Sequence, residues 1–306
     1  MRTVAFCLFS LAFLFLGAPQ AKAWGDYGHI AVCEMAYDML TAPARAEVDR
    51  ILKKDGEYST FKVACTDEDN PPKLRRLEHF FNLPRDRLFI DGTECPQASA
   101  SPCLISAIMK DWTALRSGQS SDATKAAKLK GLGHWVGDIH QPLHISFADD
   151  QGGNLINANA RCSYGLHSAW DTCIFVSRFL KIVITKETPF AEVLDRITAV
   201  SGDLRKGIRP EERAAWGDDN PWQWAKESYQ IALQPGVSYC IMTNGECWYD
   251  DERRTYQGGR KRSVRVTDEY LDAYAPVVEQ RLSQAAVRLA HMLNVAFDPA
   301  YPPAEP

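Results

Sequence analysis

Two histidine–aspartate pairs stand four residues apart in this chain: His134 with Asp138 in GHWVGDIHQPLH, and His167 with Asp171 in LHSAWD. On an α-helix, residues four apart share a face. Each pair can therefore offer an imidazole nitrogen and a carboxylate oxygen to one ion, a mixed ligand set that suits zinc. A single pair of this kind reads equally as a surface ion pair or a capped core histidine. Two pairs in one chain, with His144 close behind the first, point to metal. Trp135, Val136 and Trp170 flank the pairs and mark their faces as buried. Buried carboxylates need a compensating charge, and a cation supplies it.

A third cluster of chemistry lies at WGDYGH, where His29 follows Trp24 by five residues. The first 23 residues carry Arg2, an apolar run from Val4 to about Ala18, and an Ala21-Lys22-Ala23 site, the parts of a secretory signal peptide. Cleavage after Ala23 would make Trp24 the first residue. Its α-amine, with an ordinary pKa of ~7.7–8.0, loses a proton to a metal more easily than a lysine does. The amine, the Trp24 carbonyl and the His29 imidazole would then form one chelating set. The same motif also reads as a packed terminus with a turn.

The elements that must position these groups are mostly helical. Apolar periodicity predicts helices over HIAVCEMAYDML, from Thr41-Ala42-Pro43 onward, over CLISAIMKDWTALRSG, over ATKAAKLKGLGHWVGDIH, over SAWDTCIFVSRFL and over PVVEQRLSQAAVRLAHMLNVAF. Three glycines interrupt the histidine-bearing helix, a cost unless close packing requires them. Strand signals are sparse. DQGGN (Asp150 to Asn154) reads as a turn, and DDERRTYQGGRKRSVRV as a polar basic loop that is either a solvated excursion or a phosphate contact.

The formal charge is −4 and becomes −6 once Arg2 and Lys22 leave with the leader, which excludes a broad electrostatic grip on duplex DNA. Local cations bound to the carboxylates would still permit a nucleic-acid site. No second apolar run has spanning length, so no membrane anchor is expected after cleavage. Of the nine cysteines, Cys7 belongs to the leader, and the rest form an even set without a C-x-x-C pair, the mark of disulfides in an exported protein. Short loops suggest Cys95–Cys103, Cys162–Cys173 and Cys240–Cys247, leaving Cys33–Cys65; the sequence alone does not settle the connectivity.

Taken in order, WGDYGH, GDIHQPLH, DQGGN and LHSAWD resemble the zinc-dependent class I nucleases, the family of the fungal single-strand nucleases and the plant bifunctional nucleases. WAKES and the C-terminal helix extend the resemblance over most of the chain, with looser stretches at 85–130 and 175–220. It implies a mainly α-helical single domain over 24–306, of the zinc phospholipase C and single-strand nuclease type, with three zinc ions in a cleft. Carried over by position, one ion takes Asp67, His79, His134 and Asp138. A second takes His144, His167 and Asp171. The third takes the Trp24 amine and carbonyl, His29 and Asp138, which bridges two ions. His140 then supports the ligand helix and His291 is structural or exposed.

The register favours Asp67 over Glu68 and Asp69 as the ligand that also orients or deprotonates the attacking water. Where the family places a basic residue three positions later this chain has Asn70, so Lys73, Arg75 or Arg76 would substitute. Phe80 would stack on the base at the scissile bond, Asn82 would bond its edge, and Asn154 would line the cleft. Phe80 also reads as a core residue, and Asn154 as a turn former. The implied activity is hydrolysis of single-stranded DNA and RNA to 5′-phosphates, with 3′-nucleotides as further substrates, by a secreted or periplasmic monomer. A zinc-activated hydroxide would attack phosphorus while another zinc stabilises the leaving 3′ oxygen. A zinc-dependent phospholipase C and a non-enzymatic protein with structural zinc are the alternatives. The spacing of W-G-x-x-G-H and H-Q-P-L-H favours the nuclease over the first. The open ligand positions disfavour the second.

Overall fold

The computed structural model describes residues 24–92, 95, 102–162, 164–258 and 262–302. The leader-like segment 1–23 lies outside them. The architecture is mainly helical. Three helices, α1 (Gly25–Asp38), α2 (Ala42–Asp55) and α3 (Leu104–Arg116), surround a fourth, α4 (Asp122–His140). Thr41 caps α2, its hydroxyl accepting from Ala44 N at 3.4 Å, and Gly56 closes it in the left-handed conformation at φ 74°. Ser121 caps α4 in the same way, accepting from Thr124 N at 3.2 Å.

Every residue of α4 from Leu129 to His140 is buried. A helix enclosed all round needs neighbours that approach closely, and its glycines permit this. A Cβ on Gly133 would lie 2.3 Å from Cys65 Sγ, and one on Gly137 would lie 2.6 Å from His29 Nδ1. The helix-weakening glycines are thus the places where the Cys33–Cys65 bridge and His29 press against the histidine-bearing helix.

After α5 (Phe190–Gly207), α6 (Pro210–Trp216) and α7 (Pro221–Ala232), the chain ends in α8 (Asp268–Phe297), a 30-residue helix buried from Arg281 to Asn294. The sequence reading begins this last helix at Pro276. It begins instead behind the Thr267 cap, because Tyr270, Leu271 and Tyr274 bury their side chains ahead of the proline. The segment Leu166–Leu180 is helical as expected but wound with π turns at Ala169–Cys173 and Val176–Leu180, which periodicity does not reveal.

Among the described residues the few strands form three two-stranded ribbons. β1 (Phe81–Leu83) runs parallel to β2 (Ile145–Phe147), with Phe81 opposite Ile145. That register brings His79, two residues ahead of β1, and His144, one residue ahead of β2, to the same place. β3 (Asn157–Ala160) runs parallel to β6 (Ser263–Val266), and β4 (Ile241–Thr243) forms a hairpin with β5 (Glu246–Trp248). The disulfides join Cys33 to Cys65, Cys95 to Cys103, Cys162 to Cys173 and Cys240 to Cys247, the pairing that short loops suggest. No helix among the described residues is long and apolar enough to cross a membrane.

Candidate metal centre

The histidine-aspartate spacing on α4 does what a helix face requires: His134 Nε2 lies 3.5 Å from Asp138 Oδ2. Around that carboxylate the other elements converge. α1 brings His29, whose Nε2 is 3.2 Å from Asp138 Oδ1 and whose ring stacks on His134 with centroids 3.8 Å apart. The turn ahead of β1 brings His79, with Nδ1 3.3 Å from Asp138 Oδ2 and 3.1 Å from His134 Nε2. The turn ahead of β2 brings His144, and the π-wound segment brings His167 and Asp171. His167 Nε2 is 3.4 Å from Asp171 Oδ2 and 3.2 Å from His144 Nε2.

Three buried groups result, each with ligand atoms within 4.8 Å of one another: His29, His134 and Asp138; Asp69, His79 and His134; His144, His167 and Asp171. Trp24 is fully buried at the start of α1, and its carbonyl accepts from Gly28 N at 3.1 Å.

Asp67 does not join them. Its Oδ1 accepts from the Tyr58 hydroxyl at 2.6 Å, and its Oδ2 lies 3.3 Å from Lys130 Nζ. Asp69 stands at the centre instead, with Oδ1 4.0 Å from His79 Nδ1. The reason is local. Asp67–Asp69 is one 3₁₀ turn, and at three residues per turn its first and third positions point to different sides. The three acids of TDEDN cannot be ranked by spacing alone; the structure places Asp69 beside His79, and Asp67, which the family register favours, beside Tyr58 and Lys130.

Of the candidate cations, Lys73 is the one at the centre, its Nζ 2.8 Å from Asp69 Oδ1. Arg75 is committed elsewhere. It donates to both oxygens of buried Asp111, at 2.6 and 3.0 Å, and its guanidinium sits 4.8 Å from the Trp135 ring centroid. Arg76 is exposed. Phe80 and Asn82 are half-buried, and the buried Asn82 Oδ1 accepts no hydrogen bond. Asn154 is exposed and spends its amide on its own turn, donating to Gln151 O at 2.8 Å.

The imidazoles are oriented by backbone carbonyls. His134 Nδ1 bonds Cys65 O at 2.8 Å, His167 Nδ1 bonds Gly152 O at 2.6 Å, and His144 Nδ1 bonds His79 O. A carbonyl only accepts, so each Nδ1 carries the proton and each Nε2 presents a lone pair to the cluster. Gly152 can serve here because the turn holds it at φ 65°, with Leu143 O only 2.7 Å from where a Cβ would be. Gln141 fixes the last carboxylate, donating from Nε2 to Asp171 Oδ1 at 2.5 Å. His140 faces away: its Nδ1 bonds Val136 O at 2.7 Å, and its Nε2 accepts from Arg288 at 2.8 Å. His291 is buried beside Tyr301.

Electrostatics reinforce the geometry. Burial pushes His79 down to about 2, helped by His134; burial first, with Lys73 nearby, pushes His134 to about 3 and His144 to about 4. All three are neutral at ordinary pH. Burial raises Asp171 to about 7, and burial followed by repulsion from Asp69 and Asp171 raises Asp138 well above the usual carboxylate range. Neither Asp138 oxygen accepts a hydrogen bond, nor do Asp69 Oδ2 and Asp171 Oδ2. Neutral imidazoles and orphaned buried carboxylates in one place are what divalent cations satisfy.

A family model described as S1/P1 Nuclease matches residues 24–298. Endonuclease 2 of Arabidopsis thaliana is 27% identical over 296 residues, covering 93% of this chain and 94% of its own. Endonuclease 5 of the same plant is 28% identical over 294 residues, covering 90% and 91%. Nuclease S1 of Aspergillus oryzae is 24% identical over 300 residues, covering 91% and 93%. A match over that length, across every element that delivers a histidine or an aspartate to the centre, leaves one conclusion: the chain belongs to the S1/P1 nuclease family, hydrolases that act on the phosphodiester bonds of nucleic acids.

Proposed function

We propose that the protein is an exported, monomeric, zinc-dependent endonuclease that cleaves single-stranded DNA and RNA to 5′-phosphates and also hydrolyses 3′-nucleotides. The observation that carries this reading is the pair of unsatisfied Asp138 oxygens, buried between His29 on one side and His79 and His134 on the other. A carboxylate so placed fits a bridge between two cations. Three zinc ions would be held by Asp69, His79, His134 and Asp138; by His144, His167 and Asp171; and by the Trp24 amine and carbonyl with His29 and Asp138.

Bound zinc supplies Lewis acidity, which makes water nucleophilic near neutral pH and withdraws charge from a phosphate. The chain does the rest. Cys65, His79 and Gly152 hold three imidazoles by their carbonyls, so the ligand atoms need no reorganisation. Asp69 takes the role that the family register assigns to Asp67, facing the centre and able to hold a proton from water. Lys73, once Asp69 is engaged by a cation, is free to pair with the substrate phosphate. Phe80 offers a ring to an unpaired base, worth ~1–3 kcal/mol by stacking. Asn82 Oδ1 offers an acceptor to its edge. Stacking needs a base that has left its duplex, which gives the single-strand preference.

Side-by-side assays on single-stranded DNA, RNA, a 3′-mononucleotide and phosphatidylcholine test the reading. The expected result is release of 5′-phosphate-ended products from both nucleic acids. Hydrolysis of phosphatidylcholine with neither nucleic acid cut would overturn it.

A further inference from the structure

Away from the metal centre, several cations gather around one ribbon. β3 and β6 pair with Asn157 opposite Ser263 and Asn159 opposite Arg265. Ala158, Val264 and Val266 turn inward and are buried, while Asn157, Asn159, Ser263 and Arg265 are exposed on the other face. At the end of the ribbon Arg161 N donates to Val266 O at 3.0 Å. From there a groove of 410 Å³ opens, lined by Arg161, Arg178 and Lys181 among others. Asp268 pairs with Arg161 and Arg178, and Asp272 with Arg178. Lys181 and Arg265 are exposed and pair with no carboxylate among the described residues, whereas Arg262 is half-buried and donates to Tyr239 O and Tyr249 O. In a chain with formal charge −4, this is a concentrated excess of positive charge.

The ribbon is tied to the metal centre. Leu166 N, next to His167, donates to Ile156 O at 2.9 Å, immediately before β3 begins. Asn157 N donates to Arg262 O at 2.9 Å. From the Asn157–Ser263 pair, Asn159 and Arg265 stand two residues further on, about 7 Å along the strand. A strand bound at His167 therefore needs only a short run of nucleotides to reach them.

We propose that the exposed face of the β3–β6 ribbon, continued by the Lys181 groove, holds the phosphate backbone of a nucleic-acid strand beyond the bond being cut. The proposal rests on the nuclease reading and adds to it a remote grip. Arg265 and Lys181 supply the charge, and Asn157, Asn159 and Ser263 supply polar contacts to phosphate and sugar, which position a strand without reading its bases. Long strands would then be bound more tightly than dinucleotides, with a salt dependence that short substrates lack.

The test uses the zinc-loaded full protein, a dinucleotide and a 30-mer of single-stranded DNA. The variants are R265E with K181E, and K206E with K53E as a charge-matched control, Lys53 being exposed on α2. Lys206 is an exposed lysine on α5, outside both ribbon and groove. The double variant should raise KM for the 30-mer about tenfold with kcat unchanged, and flatten the log KM against log salt slope by about one unit or more. On the dinucleotide its kcat/KM should stay within about twofold of the control. An unchanged KM for the 30-mer, or an equal loss on both substrates, overturns the proposal. So does loss of binding to phosphatidylserine vesicles with strand cleavage intact. Fluorescence anisotropy with the 30-mer separates the two readings. Wild-type binding without cleavage defeats the nuclease reading, whereas equal binding by wild type and double variant defeats the ribbon.

Discussion

Lys130 Nζ lies 3.3 Å from Asp67 Oδ2. Lys130 is one helical turn ahead of His134 on α4, so this contact fastens the Asp67–Asp69 turn to the helix that carries the central ligands. The Tyr58 hydroxyl holds the other Asp67 oxygen, and the Lys130 ammonium lies 5.3 Å from the Tyr58 ring centroid. With Asp67 anchored outward, Asp69 is left facing His79.

Replacing these two aspartates should therefore have opposite effects. D69N should lower zinc content and cut kcat by a hundredfold or more, with little change in melting temperature of the metal-free protein. D67N should keep its zinc and lose about 1.5–3 kcal/mol of stability, the scale of a hydrogen bond involving a charged group. Zinc analysis and calorimetry on both variants check this; a zinc-free D67N would reverse the assignment.

Gly137 is expected to be intolerant of a methyl group. G137A places a Cβ 2.6 Å from His29 Nδ1, where either the ring or the helix must move. Overpacking of this kind costs about 1–3 kcal/mol. The ring is also the one beside Asp138, so zinc stoichiometry should fall along with stability. G202A, on α5 with nothing within 4 Å of its Cβ, should not destabilise the protein.

Metal uptake should release protons, more so at lower pH. His79, His134 and His144 are pushed to about 2, 3 and 4, so between pH 6 and 8 they hold no proton to lose. Asp171, raised to about 7, is largely protonated at pH 6 and largely ionised at pH 8. The Trp24 amine, once free, also gives up a proton over this range. Zinc titrations in buffers of different ionisation enthalpy should thus show proton release that shrinks from pH 6 to pH 8. Release that is absent at pH 6, or that grows with pH, would contradict these protonation states.

Much of the centre is legible in the sequence because a helix converts spacing into proximity. His134 with Asp138 and His167 with Asp171 meet as their four-residue spacing requires. The glycines of α4 flag close approaches, although not which groups approach. Spacing fails where the backbone is irregular. The Asp67–Asp69 turn decides between three neighbouring acids by its winding, and nothing in TDEDN reveals it. The two parallel ribbons are equally hidden. Each joins strands of three or four residues that are distant in the chain, too short to show a period. Arg75 illustrates a third gap: its partner Asp111 lies 36 residues away and is fully buried, so the sequence presents Arg75 as free charge when it is part of the scaffold.

The most direct test concerns Trp24. Native mass spectrometry should count the zinc ions on a protein that begins at Trp24 and on one with a single alanine added before it, with single-stranded DNA cleavage measured on both. The expected result is three zinc ions and full activity for the first, and two zinc ions with most activity lost for the second, because an amide nitrogen cannot replace the amine. Equal zinc counts and equal activity in the two forms would contradict a three-metal centre completed by the Trp24 amine.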